Sequence, residues 1–351
     1  MTIKNVICDI DGVLMHDNVA VPGAAEFLHG IMDKGLPLVL LTNYPSQTGQ
    51  DLANRFATAG VDVPDSVFYT SAMATADFLR RQEGKKAYVV GEGALIHELY
   101  KAGFTITDVN PDFVIVGETR SYNWDMMHKA AYFVANGARF IATNPDTHGR
   151  GFYPACGALC AGIEKISGRK PFYVGKPSPW IIRAALNKMQ AHSEETVIVG
   201  DNLRTDILAG FQAGLETILV LSGVSSLDDI DSMPFRPSWI YPSVAEIDVI
   251  RIATTSADVV SYFYPSLKSS HSIKPVKNYR SINKYATTPY PFSQISNHHY
   301  VFYFFTAKSL AHSAALRHFF KQANTTSNKY QVNGEGYVFN FWRIRYQNRR
   351  S

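Results

Sequence analysis

Asp9-Ile10-Asp11-Gly12 places two carboxylates two residues apart, directly behind the apolar run Val6-Ile7-Cys8. One carboxylate can attack phosphorus covalently while a second moves a proton. Three further apolar runs end in matching groups. Residues 38–41 lead into Thr42-Asn43, a hydroxyl and an amide suited to holding phosphate oxygens. Gly175-Lys176-Pro177 offers one cation, and residues 196–199 lead into Gly200-Asp201-Asn202, with Asp206 five residues past Asp201. A phosphate ester and a carboxylate nucleophile repel each other. Mg²⁺, which favours carboxylates, carbonyls, water and phosphate oxygens, offsets that repulsion.

These groups need a frame that brings four strand ends together. A short apolar run reads as a buried strand of a parallel sheet, and ligands bind beyond the carboxyl ends of such strands. After the first run, Pro22-Gly23 opens a helical pattern through Phe27, Leu28, Ile31 and Met32, closed by Gly35. A second helix is predicted at about 48–59 and a strand at 67–69. The alternation argues a parallel α/β sheet. From about Gly84 a second α/β unit begins, with strands at 87–90, 113–116 and 140–142 and helices at about 95–102, 123–136 and 156–167. The first pattern resumes near Tyr173, with strands at 196–200 and 217–221. Leu41-Thr42-Asn43 is echoed by Ala142-Thr143-Asn144. Asn144 and Asp146 therefore read either as contacts to a leaving group or as a plain turn, since Asn-Pro-Asp is good turn chemistry. Tyr153 and segment 145–154 are weaker candidates of the same kind.

The order of carboxylate pair, Thr, Lys and acidic cluster resembles the haloacid dehalogenase superfamily over nearly all of residues 1–250. The forms DIDGVL, LLTN, GKPSP and GDNLRTDI resemble its NagD-type nucleotidase and sugar-phosphatase subfamily. The resemblance implies a Rossmann-like core at 1–83 and 173–250 and an inserted α/β cap of C2 type at 84–172. It implies an Mg²⁺-dependent phosphomonoester hydrolase working through an aspartyl-phosphate, on nucleoside 5'-monophosphates first and sugar phosphates second. Asp9 is then the nucleophile and Asp11 the acid and base. Thr42, Asn43, Lys176 and Asp11 bind phosphate. Asp9 and Asp201 hold the metal by side chain and Asp11 by its backbone carbonyl, with Asn202 and Asp206 behind them. Two other classes use the same residues: a phosphoryl transferase or mutase with a second acceptor site, and a phosphate-binding module without catalysis.

The chain of 351 residues is too long for one ordinary core, and its 46% hydrophobic content is that of a globular protein. Cys8, Cys156 and Cys160 lack zinc spacing and read as buried thiols, as fits a cytoplasmic protein. No signal peptide pattern precedes the first strand, and no apolar run is long enough for a membrane span. A monomer acting on a small phosphomonoester is expected. Gly91-Glu92-Gly93 fails the dinucleotide pattern because position 96 is Ile. Gly175-Lys176 lacks the earlier glycine and following Ser/Thr of a nucleotide-binding loop. The Asp9 segment lacks the late Glu of a calcium loop.

Residues 251–351 differ in kind. They hold 14 Lys+Arg against 2 Asp+Glu, a net of +12, while residues 1–250 hold 20 against 28, a net of −8. The tail carries 20 aromatics in 101 residues and only Gly334 and Gly336 as glycines. Nothing in the resemblance covers it. It reads as an extension without a fold of its own, foreign to the rest. A basic aromatic arm for single-stranded nucleic acid is the alternative, and no scaffold is evident to present it.

Overall fold

The computed structural model describes residues 3–248 and two strand segments, 326–331 and 338–343. Residues 249–325 and the rest of the tail, with the predictions made for them, lie outside the described residues. Two compact units are present, residues 1–266 and 267–351. In the second, Thr326–Gln331 pairs antiparallel with Val338–Arg343, a pairing that the sequence reading did not anticipate.

In the first unit the strands are, in chain order, β1 (Asn5–Cys8), β2 (Met15–His16), β3 (Val19–Ala20), β4 (Leu38–Thr42), β5 (Phe68–Thr70), β6 (Lys86–Val90) and β7 (Thr105–Ile106). They continue with β8 (Phe113–Val116), β9 (Arg139–Ala142), β10 (Phe172–Tyr173), β11 (Thr196–Gly200), β12 (Glu216–Val220) and β13 (Trp239–Tyr241). The helices are α1 (Ala24–Asp33), α2 (Gly49–Thr58), α3 (Ser71–Arg80), α4 (Gly93–Lys101), α5 (Trp124–Ala135), α6 (Cys156–Ser167), α7 (Pro179–Met189), α8 (Leu208–Ala213) and α9 (Leu227–Asp231).

The first sheet runs β13-β12-β11-β1-β4-β5, every pair parallel. Its central strands are fully buried, which is why they read as unbroken apolar runs. Apolar clusters cover both faces. Leu28, Ile31, Leu40 and Phe56 lie in one cluster, and Ile7, Leu41, Ile182 and Ile198 in the other. The second sheet, β10-β9-β8-β6-β7, is also parallel. On one side it packs α5 and α6 through Ala130, Val134, Cys160 and Ile163. Thr48 caps α2 with a reciprocal Asp51 bond, so the predicted start at 48 is the capping residue itself. The short strands β2, β3, β7, β10 and β13 carried too little periodicity to be predicted. β10 pairs with β9, so Tyr173 belongs to the second sheet and the return to the first follows it.

Candidate active site

Register sets the site. Cys8 lies beside Leu40 on one side and Val199 on the other, so Asp9, Thr42 and Asp201 emerge at the same edge of the first sheet. The Asp9 N–H donates to the Val199 carbonyl at 2.8 Å, which fixes the backbone at the strand end. Lys176 enters on the segment that returns from the second sheet. Its ammonium sits 2.5 Å from Asp9 Oδ1 and 2.7 Å from Asp206 Oδ1, and donates to the Leu41 carbonyl at 3.2 Å. Asp9, Asp201, Asp206 and Lys176 are all buried.

Asp206 reaches this centre because residues 203–207 form a π-helical turn, a wider turn frequent at functional sites. The Asp206 and Ile207 N–H groups both donate to the Asn202 carbonyl, and the Asn202 N–H donates to Asp206 Oδ2 at 3.2 Å. The Asn202 side chain accepts from the Arg204 N–H at 2.9 Å, so it caps this turn. The loop after β12 closes around Asp201. The Val224 N–H donates to Asp201 Oδ2 at 2.7 Å, and Ser222 Oγ donates to the Gly12 carbonyl at 2.7 Å. Gly12 has a positive φ of 88°, and a Cβ there or at Gly223 would occupy the space of the Asp201 carboxylate. The Ser222-Gly223-Val224 loop carried no signal in the sequence reading.

The buried carboxylates could hold a cation. Asp9, Asp201 and Asp206 offer oxygens that all lie within 4.8 Å of one another. Against three carboxylates stands one ammonium. Burial first, with Asp206 and Asp201 adding to it, pushes the Asp9 carboxyl well above its usual range despite Lys176. Burial and Asp206 push Asp201 up to about 7. Burial disfavours the charge on Lys176, but Asp206 and Asp9 together hold it protonated. The residual negative charge and the hard oxygen donors fit a divalent cation such as Mg²⁺.

The remaining predicted residues divide. Thr42 Oγ1 accepts the Tyr44 N–H at 3.0 Å, which fixes the hydroxyl at the end of β4. The Asp11 side chain stands outside the buried trio, with Oδ1 2.9 Å from Arg55 Nη2. Asn43, expected at phosphate, has its side chain between the two sheets. Its amide donates to Asp146 Oδ2 and to the Lys176 carbonyl, each at 2.9 Å, and accepts the Lys176 N–H at 2.8 Å. Asn144 is fully buried and donates to the Asn43 carbonyl at 2.8 Å. The Thr-Asn echo is thus a paired junction between the sheets. Tyr153 is exposed, with the Arg120 guanidinium 5.3 Å over its ring. Glu118, which follows β8, carried no signal in the sequence. Burial first, with Asp146 and Asp11 also raising it, pushes its carboxyl up to about 7, and it accepts from Asn144 at 3.4 Å.

The chain is similar in sequence and fold to known proteins. A family model described as haloacid dehalogenase-like hydrolase matches residues 6–105, and a second, HAD-hydrolase-like, matches residues 173–247. A dihydroxyacetone phosphatase of Corynebacterium glutamicum is 44% identical over 253 residues, covering 70% of this chain and 92% of that protein. A 5'-nucleotidase of Bacillus subtilis is 31% identical, covering 70% of this chain and 97% of that protein. The solved 4-nitrophenylphosphatase of Thermotoga maritima superimposes with a TM-score of 0.66 at 32% identity, covering 70% of this chain and 95% of that one. The sequence order and the fold that carry β1, β4 and β11 are shared with these proteins, and the chain is a phosphatase that belongs to the haloacid dehalogenase superfamily, in its NagD-type subfamily.

Proposed function

We propose that the chain is an Mg²⁺-dependent phosphomonoester hydrolase that works through an aspartyl-phosphate on Asp9. The observation that carries this reading is the buried trio Asp9, Asp201 and Asp206 closed by one ammonium, Lys176. Asp9 and Asp201, with the Asp11 backbone carbonyl, would hold the cation, and Asp206 adds a third carboxylate close by. The bound cation supplies charge neutralisation of the phosphoryl oxygens and the nucleophile.

Asp9 Oδ attacks phosphorus in line, and the ester P–O bond breaks toward the leaving oxygen. Asp11 gives that oxygen its proton, then takes one from the water that hydrolyses the aspartyl-phosphate. Thr42 Oγ holds an equatorial oxygen. Lys176, fixed by Asp206 and the Leu41 carbonyl, holds its positive charge where charge spreads in the transition state. The loops that follow the strands of the second sheet, with Glu118 and segment 145–154, serve the leaving group.

The resemblance favoured nucleoside 5'-monophosphates. The 44% identity to a dihydroxyacetone phosphatase supports small hydroxy-carbonyl and sugar phosphates as the first class to test, with nucleotides second. A screen of the purified chain on dihydroxyacetone phosphate, hexose phosphates and nucleoside monophosphates, with Mg²⁺ and with chelator, tests both parts. Full activity in chelator overturns the metal reading, and a preference for nucleotides overturns the substrate order.

A further inference from the structure

Arg55 lies on α2, between Leu52 and Phe56, both buried in the core. Its side chain is only 13% exposed, whereas that of Asp11 is 45% exposed. The guanidinium makes two kinds of contact. Nη2 donates to Asp11 Oδ1 at 2.9 Å, and Nε donates to the Asp17 carbonyl at 2.9 Å, which also accepts from Nη2. Asp17 sits at the tip of the β2–β3 hairpin with a left-handed φ of 53°. That hairpin starts four residues after Asp11, and the Gly12 N–H donates to the Met15 carbonyl at 2.8 Å. One rigid fork thus grips both a reacting carboxylate and the hairpin behind it. A half-exposed ion pair contributes little to stability. A planar guanidinium does, however, fix the orientation of what it binds.

We propose that Arg55 is the positioning residue for Asp11: it holds the Asp11 carboxyl, and the hairpin that follows it, where a proton can reach the leaving-group oxygen. This rests on the reading of Asp11 as acid and base. In the step concerned the Asp9 Oδ–P bond forms, the ester P–O bond breaks, its electron pair stays on the leaving oxygen, and that oxygen takes the proton from Asp11. A misplaced acid costs most where the leaving group is poor, because a good one departs without a proton.

The experiment compares kcat/KM, which reports chemistry up to formation of the aspartyl-phosphate, for an alkyl phosphate and for 4-nitrophenyl phosphate with Mg²⁺. The variants are Arg55→Met, Arg55→Lys, Asp11→Asn and Arg55→Met/Asp11→Asn. Arg55→Met is expected to lose about 30-fold or more on the alkyl ester and much less on the aryl ester, within the range of a general acid's contribution. On the alkyl ester the double variant should be no worse than Asp11→Asn alone, since both changes remove one function. Arg55→Lys keeps the charge without the fork and should recover only part of the loss. If Asp11→Asn discriminates between the esters and Arg55→Met does not, or if the losses of the two single variants multiply, the positioning role is refuted. If Asp11→Asn itself falls equally on both esters, the acid assignment fails instead. Retained aryl activity reports a folded site. Should Arg55→Met not fold, Arg55→Lys carries the same comparison, and equal loss on both esters by a folded Arg55→Lys overturns the proposal.

Discussion

Replacing Asp201 with asparagine should make the metal-free protein more stable at alkaline pH. In the ion-free site the Asp201 carboxyl is pushed up to about 7, by burial and then by Asp206. In the unfolded chain an Asp titrates near ~3.9. Between these values the folded state holds a proton that the unfolded state has released, so stability falls as pH rises, by about 1.4 kcal/mol per pH step. The protonated form's advantage is fully present below about pH 4 and is lost as pH passes 7. From pH 5 to pH 8 the wild type should therefore lose about 3 kcal/mol through this group, an upper bound that corresponds to a thermal midpoint drop of about 6–12 °C. The amide of Asp201→Asn cannot ionise, and its Oδ1 can still accept the Val224 N–H that now meets Asp201 at 2.7 Å. Removing the charge also relieves Asp9, whose carboxyl Asp201 helps to raise. Thermal unfolding in chelator at pH 5, 6, 7 and 8 makes the comparison. The two proteins should converge at pH 5 and part by pH 8, with the variant the more stable. Adding Mg²⁺ at pH 8 should reverse the order, because a cation binding only the folded wild type adds its own linkage energy. Parallel curves for the two proteins across this range would refute the claim that Asp201 is a strained buried charge awaiting a cation.

Asp9→Asn should keep the fold and lose more than about a thousandfold in kcat, since an amide of the same shape cannot attack phosphorus; steady-state turnover, with an unchanged circular dichroism spectrum, is the check. Gly223→Ala places a methyl against the Asp201 carboxylate and should raise the Mg²⁺ concentration for half activity about tenfold or more, read from a metal titration. Removal of residues 251–351 should leave kcat/KM within about twofold, a barrier difference of ~0.4 kcal/mol, and a larger loss shows that the tail contributes to the site.

The strand ends that build the candidate site were legible because each couples a fully buried apolar run to a polar group at its carboxyl end. β1, β4 and β11 carry Asp9, Thr42 and Asp201 at one edge by register alone. What could not be read depends on contacts made across the fold. Arg55 is one polar residue on an amphipathic helix, and its partner Asp11 lies 44 positions away. Asp206 was expected behind the metal ligands, but its contact with Lys176 depends on a π-helical turn, which has no local signature. The side-chain partners of Asn43, Asp146 and Lys176, come from segments over a hundred residues distant, so its place between the sheets had no local signal. Glu118 was passed over because its carboxyl is raised by burial, a property of the folded surroundings and not of the sequence Gly117-Glu118-Thr119.

The route by which Lys176 arrives restricts how this enzyme could be rebuilt. The segment leaving β10 is held against the second sheet to its last residue: the Val174 N–H donates to the Ala142 carbonyl at 3.0 Å and the Gly175 N–H to the Thr143 carbonyl at 2.8 Å. The next backbone N–H, that of Lys176, already belongs to Asn43, directly after β4 of the first sheet. No slack chain separates the second sheet's last hydrogen bond from the Lys176 ammonium. A foreign insert grafted between β5 and α7 would have to end on a strand in the same register, or the lysine would be delivered off target. On the proposed reading, in which the loops of the second sheet serve the leaving group, exchange of specificity by swapping the whole segment is thereby discouraged, and substitution at Glu118 or within segment 145–154 is the easier course.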